Sequence, residues 1–374
     1  MDLFELLKTM VDRNASDLFL SAGAPPTLKV QGVSAALASP PMHAGEVKEL
    51  AYSAMTDRQR KDFEHDLECN LAINAEGIGR FRLNVYLQKG EVGMVARYIK
   101  ARIPSLADLG LPQLLQDLVM TKRGLILIVG AAGSGKSTTL ASMLDYRNGQ
   151  STGHILTIED PIEFVHAHKR SIVDQREVGI DTLTFGDALR NAMREAPDVI
   201  AIGEIRDRET MQHGIAYAET GHLCLATLHA NNSNQALERV INFFPEDGRR
   251  QLYMDLSLNL KAVVSQRLIP GLKGPLVPAV EVMLNSPYIA DLMHKGKVDE
   301  IKAAMAKSVE LGMQTFDQSL YDLIMDRRIS LEEGLRNADS RTDLGLRIRL
   351  SIGKKTADAP DLGLANWKAG APPA

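Results

Sequence analysis

The segment GAAGSGKS, Gly130 to Ser137, follows the apolar run LILIV and precedes TTLASMLDY, which reads as a helix. It fits G-x-x-x-x-G-K-[ST] in the strand–loop–helix setting that this pattern requires. Glycines let backbone N–H groups wrap phosphate oxygens, and the helix N-terminus adds a partial positive charge. The loop therefore constrains the chain to an α/β fold that binds a nucleoside triphosphate. Gly130, Gly133, Ser134, Gly135, Lys136, Ser137 and Thr138 are the expected nucleotide contacts. Lys136 is expected on the β- and γ-phosphates, and the Ser137 hydroxyl on Mg²⁺.

Hydrolysis also needs a group that orients or deprotonates water. DVIAIGE ends a predicted strand on Glu204, where such an acid belongs. In many P-loop ATPases an Asp precedes that Glu and helps hold the metal shell; here the neighbour is Gly203. Another acid must then position Mg²⁺. TIEDPIEF, at the end of a neighbouring predicted strand, offers Glu159, Asp160 and Glu163, although such a cluster also suits a solvated turn. Glu159 is expected near Mg²⁺ through water.

AETGHLCLATLHANN carries His222 and His229, with His222 just before a predicted strand. A zinc pair would need further ligands, and no Cys or Asp cluster supplies them. The two readings left are a histidine satisfied within the fold and a sensor of the γ-phosphate. Arginines on a predicted hairpin, Arg80, Arg82 and Arg97, are either a solvated face or donors to transition-state charge. Arg97, set among apolar residues, is the first choice.

LILIVG, HILTIED, DVIAIGE and HLCLATLH each run from apolar residues into a polar cluster, the pattern of a parallel sheet with its functional groups at the strands' carboxyl ends. SNQALERVINFF reads as an amphipathic helix capped by Ser233, with Leu237, Val240, Ile241 and Phe244 as its apolar stripe. Upstream, Leu3, Leu6, Leu7, Met10 and Val11 share a helix face. Residues 43–66 read as helical, and Phe81, Leu83, Val85 and Val92, Met94, Ala96 alternate as a hairpin. The expected organisation is a small α+β domain over 1–100, a linker over 101–118, the ATPase domain with C-terminal helices over 119–350, and a disordered Ala/Pro/Gly tail over 351–374 that holds Trp367.

Lys and Arg total 43 against 47 Asp and Glu, a net charge of −4, and the pI is about 6.2. Nucleic-acid binders are usually basic, so a nucleic-acid motor is disfavoured. No apolar run reaches the ~18 residues of a membrane span. The opening MDLFELLKTMVDRN mixes acids with apolar residues, unlike a signal peptide. Cys69 and Cys224 are expected as reduced thiols. A cytoplasmic location follows, with membrane contact only through a partner.

Together these motifs resemble the hexameric secretion ATPases, in particular the PilT/PilU-type retraction ATPases of type IV pili. The matching segments, in order, are GAAGSGKSTT, ILTIEDPIEF, REAPDVIAIGEIRD and AETGHLCLATLHANN, flanked by NASDLFLSAGAPP, GRFRLNVYLQ and LGMQTFDQSLYDLI. The resemblance covers roughly residues 1–345. It implies a PAS-like N-terminal domain, a RecA-like ATPase domain and a homo-hexameric ring. It places ATP between the domains and a water-activating role on Glu204, with Glu163 a rival or helper. It marks His222 and His229 as box histidines and Arg82 and Arg97 as finger candidates. It also implies ATP and Mg as ligands, and as partners a paralogous retraction ATPase and an inner-membrane pilus platform protein that recruits the ring peripherally to the pilus base.

One departure bears on function. Retraction motors of this type carry Ala-Ile-Arg-Asn-Leu-Ile-Arg-Glu, where this chain reads SPYIADLMHKGK, with Ala290 and His294 about where the arginines fall. That divergence resembles the PilU-type branch, which accompanies the main retraction ATPase. An adaptor-like ring subunit with weak catalysis stays open as an alternative. An assembly motor is disfavoured, because two distant cysteines cannot form its tetracysteine zinc module.

Overall fold

The computed structural model describes residues 2–354. They divide into two units. The first comprises 1–103, 160–167 and 176–184, so it takes in two short segments from the middle of the chain; the second comprises 104–159, 168–175 and the chain from 185 on.

The first unit is built on a six-stranded sheet. Its strands are β1 (Ala15–Leu20), β2 (Thr27–Val30), β3 (Val33–Ala36), β4 (Glu68–Ala75), β5 (Gly79–Gln88) and β6 (Glu91–Ile99), in the order β3-β2-β1-β6-β5-β4, with every pair antiparallel. The predicted hairpin is β5–β6, and Phe81, Leu83, Val85, Val92, Met94 and Ala96 all point into the core. The helix Leu3–Asp12 buries Leu3, Leu6, Leu7 and Met10 there, the face its spacing predicts. Residues 43–66 form two helices, Glu46–Ala54 and Asp57–Asp66; the second starts at a Thr56/Gln59 capping box.

The second unit holds a seven-stranded sheet. Its strands are β7 (Gly124–Val129), β8 (Gly153–Glu159), β9 (Ser171–Glu177, whose last two residues pass into the first unit), β10 (Val199–Ile202), β11 (Leu223–Leu228), β12 (Leu260–Pro270) and β13 (Leu276–Leu284). The order is β13-β12-β7-β11-β10-β8-β9, and β12, β7, β11, β10 and β8 run parallel. Every residue of β7, β10 and β11 is buried, as expected of strands covered on both faces. The four predicted strands are β7, β8, β10 and β11; β9 and the β12–β13 hairpin lay outside that reading. Val129 pairs with Leu228, and Ile202 with both Ala226 and Ile158, so the carboxyl ends of β7, β11, β10 and β8 open on one edge. This edge carries the motifs.

Two expectations shift in detail. From Pro104 the expected linker belongs to the second unit, where Leu106, Leu111, Leu115 and Leu118 are buried in the sheet's core. Apolar residues at such spacing make that stretch a packed layer instead of a tether. The cap of the helix Ser233–Asn242 is Asn232, whose side chain accepts from the Gln235 N–H at 2.9 Å. Ser233 is the first helical residue and is buried.

Downstream, the helices Pro287–His294, Ile301–Lys307, Phe316–Met325, Leu331–Arg336 and Arg341–Lys354 realise the helical C-terminal part. Among the described residues no helix is long and apolar enough to cross a membrane. Both cysteines are free. Trp367 and the rest of the expected tail from residue 355 lie outside the described residues.

Candidate active site

β7 ends at Val129 and the chain enters the loop 130–135, which feeds the helix Lys136–Gln150. Gly130 is required by close approach: a Cβ there would collide with the Ser134 hydroxyl and the Gln266 backbone oxygen. Gly135 caps the helix at φ +89°, a left-handed conformation that favours glycine. The Lys136 ammonium donates to the carbonyls of Gly130 at 3.0 Å and Ala131 at 2.9 Å, so the loop curls around it. The Ser134 hydroxyl is buried and has no hydrogen-bond partner. A buried polar group without a partner is costly, and a phosphate oxygen in the loop would satisfy it. The loop therefore fits a phosphate ligand on its own geometry. Ser137 and Thr138, half-buried, open the helix beside it.

Glu204 lies just past β10. Its Oε1 lies 3.1 Å from the His229 Nε2, and its Oε2 accepts from the Arg206 Nε at 2.8 Å. His229 follows β11, beside the strand that feeds the loop. Burial holds the His229 imidazole below its ordinary pKa; the Lys136 ammonium pushes the same way, and the Glu204 carboxylate partly opposes it. At neutral pH the ring is therefore uncharged. Lys136, Glu204 and His229 form one electrostatic group at the carboxyl ends of β7, β10 and β11.

The glycine before Glu204 has a local cause. A Cβ at Gly203 would stand 3.1 Å from the Glu159 Cα and 3.1 Å from the Ile158 oxygen. The Gly203 N–H donates to Ile158 at 2.7 Å, and the Thr227 hydroxyl donates to the Gly203 carbonyl. β8 presses closely on this turn, so a side chain there would need the β8 backbone to give by a few tenths of an ångström, and the turn that aims Glu204 is pinned from both neighbouring strands. Glu159, at the end of β8, accepts from the Thr157 hydroxyl at 2.6 Å and from Gln175 at 3.1 Å. The edge also carries an open cleft of about 630 Å³ bordered by Ala131, His229, Asn231, Gln235, Glu238 and Arg239.

His222 sits at the start of β11, the opposite end from His229, against the Thr220 hydroxyl at 3.1 Å and the Tyr217 carbonyl at 3.3 Å. That is the environment of a histidine satisfied within the fold. Glu163, Arg82 and Arg97 belong to the first unit. Glu163 is exposed. Arg97 donates to the buried Asp17 at 2.8 Å, its cross-strand neighbour. Arg82, opposite Arg97 on β5, stands 3.9 Å from the buried Glu177. Burial raises the Glu177 pKa, and Arg82 works against that rise. Among the described residues no cluster of His, Cys, Asp and Glu could hold a metal by itself.

Sequence reasoning missed Arg206, Gln266 and Thr227. Arg206 was within view, two residues past Glu204 in the same motif. Gln266 and Thr227 act from strands whose neighbours only the folded sheet reveals.

A model of the family described as type II/IV secretion system protein matches residues 5–291. The type IV pilus ATPase PilU of Pseudomonas aeruginosa is 54% identical over 94% of this chain and 92% of its own length. The type IV pilus retraction ATPase PilT of the same organism is 43% identical over 90% of this chain and 98% of its own. A crystal structure of the pilus retraction motor PilT with bound ADP superimposes with a TM-score of 0.87 at 40% identity, covering 92% of this chain and 99% of that one.

Proposed function

Because the chain belongs to the type II/IV secretion system protein family, we propose that it is a ring-forming ATPase that drives or assists retraction of a type IV pilus, as a PilU-like accessory to a paralogous retraction ATPase. The observation that carries this reading is the convergence of Lys136, Glu204 and His229 at the carboxyl ends of three parallel strands.

In this reading the loop N–H groups and the Lys136 ammonium bind the phosphates of ATP, and the helix Lys136–Gln150 directs its positive end at them. Mg²⁺, when bound, would be held by the Ser137 hydroxyl and through water by Glu159, and would supply charge that offsets the phosphate oxygens. Glu204 orients the attacking water and takes its proton. One of its oxygens accepts from Arg206 and the other faces the His229 ring at 3.1 Å, and the carboxylate keeps acceptor sites for that water. His229, uncharged, stands against the Glu204 carboxylate without neutralising it. Arg82 and Arg97 are proposed to serve transition-state charge in a neighbouring subunit, for which each would leave its present acidic partner.

The accessory role is favoured by the helix Pro287–His294, where the half-buried Ala290 and the exposed His294 stand about where arginines fall in autonomous retraction motors. The proposed setting is a hexamer in the cytoplasm, recruited to the pilus base by a membrane platform protein. The test is turnover by the purified protein. Glu204→Gln is expected to bind ATP and hydrolyse it at well under about a tenth of the parent rate. Full activity in that variant removes Glu204 from the chemistry.

A further inference from the structure

Three successive residues of β12 meet different parts of the site. Side chains alternate along a strand, so Gln266 faces one way and Ser265 and Arg267 the other. Gln266 accepts from the Thr139 hydroxyl at 2.7 Å, and its backbone oxygen crowds Gly130, so it braces the phosphate loop. Ser265 donates at 3.2 Å to Glu281, its cross-strand partner on β13. Glu281 is 1% exposed and accepts the backbone N–H of Ser233 at 2.7 Å. The Arg267 guanidinium makes three hydrogen bonds. One goes to the Asn231 carbonyl at 3.1 Å, one to the Asn337 carbonyl at 2.6 Å and one to the Asp339 carboxylate at 2.6 Å. Its Cζ lies 3.9 Å from the ring centroid of Phe316, the first residue of the helix Phe316–Met325.

Asn231 is two residues from His229, and Ser233 four. The short stretch that carries His229 is thus gripped at Asn231 by Arg267 and at Ser233 by Glu281, both from the β12–β13 hairpin. Asp339 also receives Lys302 at 2.7 Å. Burial opposes its ionisation, and the Lys302 and Arg267 donors outweigh burial, so it stays a charged anchor. Asp339 lies between the helices Leu331–Arg336 and Arg341–Lys354. One side chain, fixed by its planar fork of donors, therefore binds the segment behind His229 on one side and the C-terminal helices on the other.

We propose that Arg267 is a positioning residue for hydrolysis: it sets His229 against Glu204 and makes that setting depend on where the 337–339 segment sits. The inference rests on the ATPase reading above. A partner that moves the C-terminal helices then changes the hydrolysis rate without touching the nucleotide.

The test is a double-mutant cycle on the full-length protein, reading steady-state kcat and KM for ATP. Arg267→Gln is expected to lower kcat about 10- to 100-fold, the cost of a misplaced catalytic group. Its KM should change less than about threefold, since no contact to ATP is lost. In a His229→Ala background the same substitution is expected to add little, because both act through one loop. Asp339→Asn, which leaves Arg267 in place, is expected to give a smaller loss of kcat that His229→Ala also masks; it stands in if Arg267→Gln does not fold. An unchanged kcat, or an equal fold-loss in both backgrounds, overturns the proposal. A parent protein without ATP turnover would instead defeat the ATPase reading itself.

Discussion

Glu204 meets two groups of different character: Arg206 donates to one oxygen and brings a permanent charge, and the uncharged His229 ring stands 3.1 Å from the other. The His229 ring is kept neutral chiefly by burial, with Lys136 adding repulsion, and Glu204 pulls towards protonation. An NMR titration of His229 should therefore give a midpoint below the ordinary value of 6.5. In Glu204→Gln the midpoint should fall further, because a group that raises it has been neutralised. A midpoint above 6.5, or a rise in the variant, would contradict the geometry. The linked stability has a definite sign. As pH falls through about 6.5 the unfolded chain takes up the His229 proton first, so the folded state loses stability until the folded imidazole also protonates. Lys136→Ala should abolish nucleotide binding, measured by calorimetry, since the ammonium around which the loop curls is gone.

At the level of elements, legibility tracked how local the cause was. β7, β8, β10 and β11 announced themselves as short apolar runs ending in polar clusters, and the strand–loop–helix around Lys136 was explicit. The grip of β12 and β13 on the loop after β11 was not. Ser265, Gln266, Arg267 and Glu281 acquire their roles only when β12 pairs with β7 and β13 with β12, and the hydrogen bonds these side chains make span from 16 to 127 residues of sequence. Ser233 reads as a cap from sequence because it is a good capping type one residue from Asn232; the buried carboxylate that takes its N–H comes from β13. Other caps were within reach of inspection. The helix Phe316–Met325 begins with a capping box in which Thr315 accepts the Gln318 N–H and Gln318 accepts the Thr315 N–H. Thr315→Ala should cost ~1 kcal/mol. For a body of this size that is a fall of about 2–4 °C in Tm by calorimetry. No change would mean that packing of Phe316 and Leu320 alone sets that helix.

For the whole molecule, two units share one chain, and the first borrows residues 160–167 and 176–184 from within the sequence of the second. Nothing in composition marks those segments, because they are short and their neighbours belong to β8 and β9. The borrowed segments start directly after Glu159, so the acidic box TIEDPIEF is divided between the units, with Glu159 in one and Glu163 in the other. The helix Pro287–His294, without arginines at its 290 and 294 positions, is where the proposed accessory role is written.

The most direct test of the account is pilus retraction in cells that lack every other retraction ATPase and carry this protein at native level. The account predicts no retraction by this protein alone, and retraction restored by adding a hydrolysis-dead paralogue. That restoration should vanish when this chain carries Glu204→Gln. Retraction by this protein alone would contradict the accessory role, and restored retraction that survives Glu204→Gln would contradict the claim that ATP hydrolysis at this site supplies the work.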